Sequence, residues 1–531
     1  MQAKYISYQD TGAFSQIVLD YISGEAKLSD FYSFKPDTDG FSHAIRNRRF
    51  SGDRQRLVTV LQNQYIEVQT TALVKDNITL LADERTFTIT TGHQLNIFTG
   101  PLYFIYKIVT AINLAKQLKQ EFPEYNFVPV YWMATEDHDF AEINHVRIEE
   151  KKLSWNKDNA AGATGRMGIK DIAEVLAAYK GYLGISENGL ELAGIVEKAY
   201  QGKPGKLSDA TRILVDSLFG EYGLVCVDAD VPELKQQFAD IIRRDIETGD
   251  SYKKITSSNE ALEALGYKTQ VNPREINFFY MLDGLRERIV KEEDKYQILN
   301  TEISFSVEEL EREIDANPER FSPNVVMRPL YQEVILPNLC YIGGGAELTY
   351  WLQLKGNFDR YKIDFPVLML RNSALIIDKR SAEKMHMLGI KEKELFTDSD
   401  QLKSTWVHAH AEHRILLSDE QRALGALFDQ IKLNAYKIDK TLSETTDMAK
   451  HKALKLIHML EKKMLKAEKR RHATALSQIE GLKLRLFPGG VLQERVLNIA
   501  PMYIAHGKDF IPALIAAFDP MEPKFTILFA S

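Results

Sequence analysis

An α/β fold built on a parallel, doubly wound sheet is what this sequence predicts, and three stretches predict it. The first is a strand–helix–strand unit between Thr86 and Met133 whose two polar loops both follow strands. The second, Gly223-Leu-Val-Cys-Val-Asp-Ala-Asp230, is a short apolar run that also ends in acids. The third, Pro366-Val-Leu-Met-Leu-Arg371, ends in an arginine. Short, near-continuous apolar runs read as strands covered on both faces of a parallel sheet. Ligands bind such sheets beyond the strands' carboxyl ends, so the chemistry is expected in the loops that follow them.

The first unit organises the chain. An extended segment, Thr86 to Thr91, enters a polar loop, Gly92 to Gly100. Pro101 opens a helix with apolar or aromatic residues at Leu102, Ile105, Tyr106, Val109, Ile112 and Leu118, the spacing of one buried face. After a turn at Pro123, Phe127 to Met133 reads as a buried strand. It ends in Glu136-Asp137-His138-Asp139, with Glu142, Asn144 and His145 close behind.

Composition limits what the chain does. It has 531 residues, more than one core usually serves, so several structural units are expected. A net charge of -7 argues against a general nucleic-acid binder. The first residues hold no apolar h-region, and no apolar run is long enough to span a bilayer, so a cytoplasmic location without membrane attachment is expected. Cys226 and Cys340 are too far apart in sequence for a CxxC metal site and form no disulfide framework. Cys226, inside an apolar run, reads as core.

In chain order, residues 1–80 read as the helical start of the core, with helices at Ser15–Ile22, His43–Arg48 and Arg54–Asn77. The basic trio Arg46, Arg48 and Arg49 reads as a solvated helix end. Residues 81–150 form the first half of the core. Residues 151–205, after an alternating segment over Val146–Leu153 that suggests a strand or hairpin, read as a first connecting insert, and 206–239 return to the core. Residues 240–327 read as a second insert, an antiparallel hairpin set turning at Asp283-Gly284. Residues 328–380 are core again. Within 381–486, Leu424, Phe428, Ile431, Ala435, Ile438 and Leu442 step by four and three, as do Ala453, Ile457, Leu460, Met464 and Ala467. These heptad seams predict a coiled-coil hairpin with one acidic and one basic arm, a common means of self-association. Residues 487–531 close the core with a last strand at Lys524–Phe529.

Three clusters carry chemistry. Gly92, His93, Gln94, Asn96, Thr99 and Gly100 precede a helix, where backbone N–H groups suit a phosphate or carboxylate; Tyr103 and Lys107, four apart, can aim at the same ligand. The block Glu136, Asp137, His138 and Asp139 crowds ionisable groups at a strand end. It reads as a site for an amine, as a metal site using the helical spacing of His138, Glu142 and His145, or as a structural ion-pair network. Arg328, Gln332, Gly343, Gly344, Glu347, Tyr350 and Trp351 mix charge, glycine and aromatics, which suits either a polar pocket or a structural elbow; Arg371 ends its strand nearby.

The motifs Thr90-Thr-Gly-His-Gln, Phe98-Thr-Gly-Pro-Leu-Tyr103, Tyr106-Lys107, Pro129-Val-Tyr-Trp, Glu136-Asp-His-Asp-Phe140, Glu142-Ile-Asn-His145 and Arg328-Pro-Leu, with Gly343-Gly344 and Tyr350-Trp351, resemble those of the cysteine ligase family of bacillithiol biosynthesis (BshC family). The resemblance spans the chain. It implies a Rossmann-type core similar to class I aminoacyl-tRNA synthetases, two connecting inserts and a coiled-coil arm that makes a homodimer. It implies ligation of L-cysteine to glucosaminyl-malate, with ATP, and Mg accompanying the nucleotide, activating the cysteine carboxylate. Catalytic roles then fall to His93, Asp137, His138 and Asp139. Gly92, Gln94, Asn96, Thr99, Gly100 and Lys107 are implied in phosphate binding. Tyr103, Glu136, Asn144, Arg328, Gln332, Gly343, Gly344, Glu347, Tyr350, Trp351 and Arg371 are implied in substrate binding. Where the synthetases carry two histidines about a glycine, this chain has His93-Gln94-Leu95-Asn96, and it holds no Cys/His zinc cluster. The rival readings are a metal-dependent hydrolase built on Glu136–His145 and a non-catalytic coiled-coil scaffold.

Overall fold

A computed structural model describes residues 1–201 and 205–530; positions 202–204, at the end of the first expected insert, lie outside the described residues. The chain divides into two compact units, residues 1–376 with 491–528, and residues 377–490 with the chain end from 529.

The first unit is built on a five-stranded sheet. Its strands lie in the order Val367–Leu370, Asn338–Gly343, Thr86–His93, Asn126–Met133, Val225–Asp228, and every neighbouring pair is parallel. Numbered along the chain and read from the other edge, this is 3-2-1-4-5, a doubly wound order that reverses between the first and fourth strands. The reversal leaves a crevice beyond His93 on one side and Gly343 on the other.

Helix Leu102–Glu121 packs on the strands at 86–93 and 126–133, and on its far side against helix Phe510–Ala517. Asn113 ties the two helices, its Nδ2 donating to the Ile515 and Phe518 carbonyls at 2.9 and 2.7 Å. A helix covered on both sides needs apolar residues beyond one stripe, which is why Phe104, Ile108 and Ala111 are buried along with the predicted face. Cys226 and Cys340 are both buried thiols within sheet strands.

The antiparallel set expected after residue 240 is a five-stranded sheet. Phe278–Leu282 pairs with Leu285–Glu292 across Asp283-Gly284, and Lys295–Ile298, Ser304–Phe305 and Phe321–Pro323 complete it. The short hairpin His145–Ile148 with Lys151–Ser154 also forms.

Four local expectations change. Gln2–Ser7 is a strand in a stretch that reads as mainly helical; it buries Ile6 alone and so shows no alternation. It joins Lys524–Phe529 and Ala374–Ile377 in a separate three-stranded sheet, so the last strand does not extend the parallel one. Arg54–Asn77 is two helices, Arg54–Gln64 and Ala72–Leu80, the second started by Thr71, whose hydroxyl accepts from Val74 N–H. Arg48 is not solvated: its guanidinium is buried on Glu333, 2.7 Å away.

In the second unit, helices Ser418–Ile438 and Leu442–Arg471 form the hairpin that the heptads predict. Lys432–Asp447 and Lys450–Asp429 pair across it at 2.5 and 2.6 Å, which sets the arms antiparallel. Neither helix has a buried residue, and Leu427, Ile431, Leu456 and Leu460 stay exposed. No described helix is long and apolar enough to cross a membrane.

Candidate active site

At the carboxyl edge of the parallel sheet lies a cavity of about 680 Å³, within the range of small-molecule sites. One end is the crevice where the strand order reverses. The other is formed by the acidic loop after Met133 and by the antiparallel sheet.

At the crevice, strand 86–93 delivers Gly92 and His93, and helix 102–121 delivers Tyr103 and Lys107 from its first two turns. The Lys107 ammonium donates to the Gly92 carbonyl at 2.7 Å and forms an ion pair with Glu347. Glu347 also accepts from Tyr341 Oη at 2.7 Å and from the Gly344 N–H at 2.9 Å, capping the helix that begins at Gly345. One carboxylate thus ties the first strand's loop to the fourth strand's loop. Burial opposes ionisation of Glu347, yet Lys107 and these donors hold its carboxyl below the usual range. Burial, then Lys107 and Arg371, push His93 well below the ordinary histidine value, so it is neutral.

Arg371 lines the cavity but is engaged elsewhere: its Nη2 lies 2.6 Å from Glu494 and its Nη1 donates to Ser373 Oγ at 2.9 Å. Arg328 differs. It donates to Gln332 Oε1 at 3.0 Å and to Tyr350 Oη at 3.4 Å, and its guanidinium lies near the Trp132 and Tyr341 rings. Glycine at 92 leaves room for the neighbouring Tyr341 hydroxyl, since a Cβ there would stand 3.1 Å from Tyr341 Oη.

At the acidic end, Glu136 is buried against Lys235, which also donates to the Phe321 carbonyl at 2.8 Å. Asp137 Oδ1 accepts from the His138 N–H at 2.7 Å, and Oδ2 accepts from Gln94 Nε2 at 2.8 Å. Gln94 also reaches Glu142. Gln94 therefore links the glycine loop to the acidic loop. Arg286 Nη1 stands 2.7 Å from His138 Nδ1.

The cavity thus gathers Gly92, His93, Gln94, Tyr103 and Lys107 with Glu136, Asp137 and His138, and with Arg328, Gly344, Glu347, Tyr350 and Arg371. Other expected site residues lie outside its lining. Asn96 sits behind His93, its Nδ2 3.3 Å from His93 Nε2. Thr99 and Gly100 belong to an inward turn clamped by Asn498, which donates to the Phe98 and Gly100 carbonyls at 2.7 Å each. Gly100 has φ +62°, and a Cβ there would come within 2.6 Å of Asn96, so only glycine suits it. The anion-binding start expected at Pro101 is closed as well, because the Leu102 N–H donates to the Leu497 carbonyl at 2.8 Å. A helix start that does line the cavity is the one at Gly344–Ala346.

Asp139 caps the turn Phe140–Ile143, accepting from Glu142 N–H at 3.1 Å. Asn144 lies 3.1 Å from His145 Nδ1. Gln332 donates to Glu333, Gly343 ends its strand, and Trp351 is buried against Tyr341 and Phe358. The metal reading of His138, Glu142 and His145 is not assembled: no group of three His, Cys, Asp or Glu able to hold an ion stands together among the described residues. Sequence reading missed Arg274, Arg286 and Arg495. The first two come from the region read as an insert and the third from the C-terminal segment, and nothing in their local pattern marks them.

Fold and cavity together define a Rossmann-like α/β protein with a polar, arginine-rich site at its switch point and a separate coiled-coil unit. The chain belongs to the bacillithiol biosynthesis BshC family: the family's N-terminal Rossmann-like domain matches residues 1–372 and its C-terminal coiled-coil domain residues 374–530. Relatives named "Putative cysteine ligase BshC" include one from Flavobacterium johnsoniae, 44% identical over 99% of this chain and 100% of its own. Those from Christiangramia forsetii and Bacillus mycoides are 42% and 29% identical, over 99% and 96% of both chains. Among solved structures, a chain titled "putative arginyl t-RNA synthetase" from Campylobacter jejuni aligns at 10% identity with a TM-score of 0.24, covering 88% of this chain and 98% of its own. That score is too low to establish a shared fold.

Proposed function

We propose that this chain performs the cysteine-adding step of bacillithiol biosynthesis, joining the carboxyl group of L-cysteine to the amine of glucosaminyl-malate. The observation that carries the reading is one cavity with two chemistries. Arg274, Arg328 and Arg495 line it with no carboxylate paired to them among the described residues, while Asp137 stands on the opposite loop. Cavity-facing guanidiniums that no carboxylate answers suit an anionic substrate, and malate brings two carboxylates. Arg328, beside Tyr350, is our choice for one of them.

Asp137 is assigned the amine. Its Oδ2 accepts one donor, from Gln94, and retains capacity for a substrate ammonium. There it holds the nitrogen and takes the proton that must leave before attack on the activated carboxyl carbon. ATP, with Mg, would supply that activation; the backbone at Gly344–Ala346, beside neutral His93, offers a helix start for its phosphates. Lys107, expected on a phosphate, is instead assigned to shaping the crevice, because Glu347 already answers its charge. The same reading places the protein in the cytoplasm, with small molecules rather than nucleic acid as partners. The exposed apolar residues of the hairpin support a homodimer through it.

The test is the low-molecular-weight thiol content of cells lacking this protein, complemented with wild type, Asp137→Asn or Arg328→Met. Bacillithiol returning with wild type alone, and glucosaminyl-malate accumulating otherwise, is the expected result. Full restoration by both variants would put the chemistry elsewhere.

A further inference from the structure

Strand Leu285–Glu292 brings Arg286 to the cavity's edge, where contacts fix its guanidinium. Nε donates to Ser322 Oγ at 3.1 Å, Nη2 to the Pro323 carbonyl at 3.3 Å, and the group lies over the Phe279 ring, 3.9 Å from its centroid. The remaining Nη1 stands 2.7 Å from His138 Nδ1. A guanidinium only donates, so Nδ1 is the acceptor and the neutral ring carries its proton on Nε2.

We propose that Arg286 is a positioning residue that locks His138 in the Nε2–H form, making His138 a hydrogen-bond donor to an oxygen of the bound substrate instead of a general base. A base at Nε2 needs a lone pair there, and this tautomer has none. The charged groups around the ring agree. Burial and Arg286 lower its proton affinity against the opposing pull of Asp137 and Asp139 on its own loop and Glu287 on the facing strand. The proposal rests on the ligase reading only for the identity of the oxygen; the lock itself is independent of it.

The experiment is nitrogen-15 spectroscopy of the full-length chain labelled at histidine, with His138 assigned by its loss in His138→Gln. Wild type is expected to show a protonated Nε2 and a lone-pair Nδ1, and to stay neutral below the ordinary value of 6.5. In Arg286→Met the tautomers mix and the titration climbs towards that value, whereas Arg286→Lys, keeping one donor, restores part of the preference. In ligation assays Arg286→Met should lose roughly tenfold or more in kcat, with its acid limb moved to higher pH. A protonated Nδ1 in the wild type overturns the proposal without any variant, and so does an unchanged titration in Arg286→Met. Spectra that show the lock in a chain without ligase activity would support the lock and remove the ligase reading.

Discussion

The same residue types do different work in the two units. Around the cavity, Arg371 and Glu494 face each other with side chains 6% and 1% exposed. On the coiled-coil hairpin, Lys450 and Asp429 are 27% and 63% exposed. Removing a charge from water costs several kcal/mol, so a buried partner is required once its mate is there. In solvent, screening and side-chain entropy leave an ion pair worth little. The buried pairs therefore define the shape of the site, while the exposed ones help choose which hairpin residues face each other.

The largest expected effect follows directly. Arg371→Met strands the buried Glu494 carboxylate and should cost about 3–5 kcal/mol, read by denaturant unfolding. Replacing both, as Arg371→Met with Glu494→Leu, should recover much of that loss. If the single variant is as stable as wild type, the contrast between the units fails.

A smaller effect tests burial through pH. Burial pushes the Glu333 carboxyl up to about 7, against Arg48, Asn338 and Gln332, which pull it down. A carboxyl whose folded value is raised contributes stability below its unfolded value, and that contribution fades as pH rises through the folded one. Unfolding free energy should therefore fall between pH 4.5 and about 7, by at most about 3 kcal/mol from this group. Glu333→Gln should be less stable overall, with Arg48 unanswered, but flatter across that window.

The acidic loop sharpens the comparison from the side of function. Asp137 is partly exposed and held by hydrogen bonds, so Asp137→Asn should lower ligation about a hundredfold or more while moving the unfolding midpoint little. A matching loss of stability would mean that Asp137 is scaffold. Least of all, Lys450→Ala on the hairpin should change stability by roughly 0.2–1 kcal/mol, and added salt should shrink even that.

Much of this was legible because it is local. The unit from Thr86 to Met133, the strand ending at Asp228, the Asp283-Gly284 hairpin and the heptad seams all carry their period in consecutive residues. So does the acidic block at Glu136–His138, which lines the cavity as its place after a strand predicts. Gln2–Ser7 escaped because an edge strand burying one side chain has no alternation to show. Trp351 and Gln332 belong to a stretch whose composition suits either a polar pocket or a structural elbow, and packing put the first in the core and the second in a buried hydrogen-bond network.

By itself, then, the chain's order of apolar and polar residues determined the parallel strands, the loops that carry chemistry and the long charged hairpin. Tertiary structure alone decided which charges are free. Lys107 is answered by Glu347, 240 positions on in the sequence, and Arg371 by Glu494, whereas Arg328 and Arg286 form no ion pair with a carboxylate among the described residues. Arg286 meets His138 only because an antiparallel sheet folds over the acidic loop. Pairing across such distances is set by how sheets and helices pack, and no local pattern of side chains encodes it.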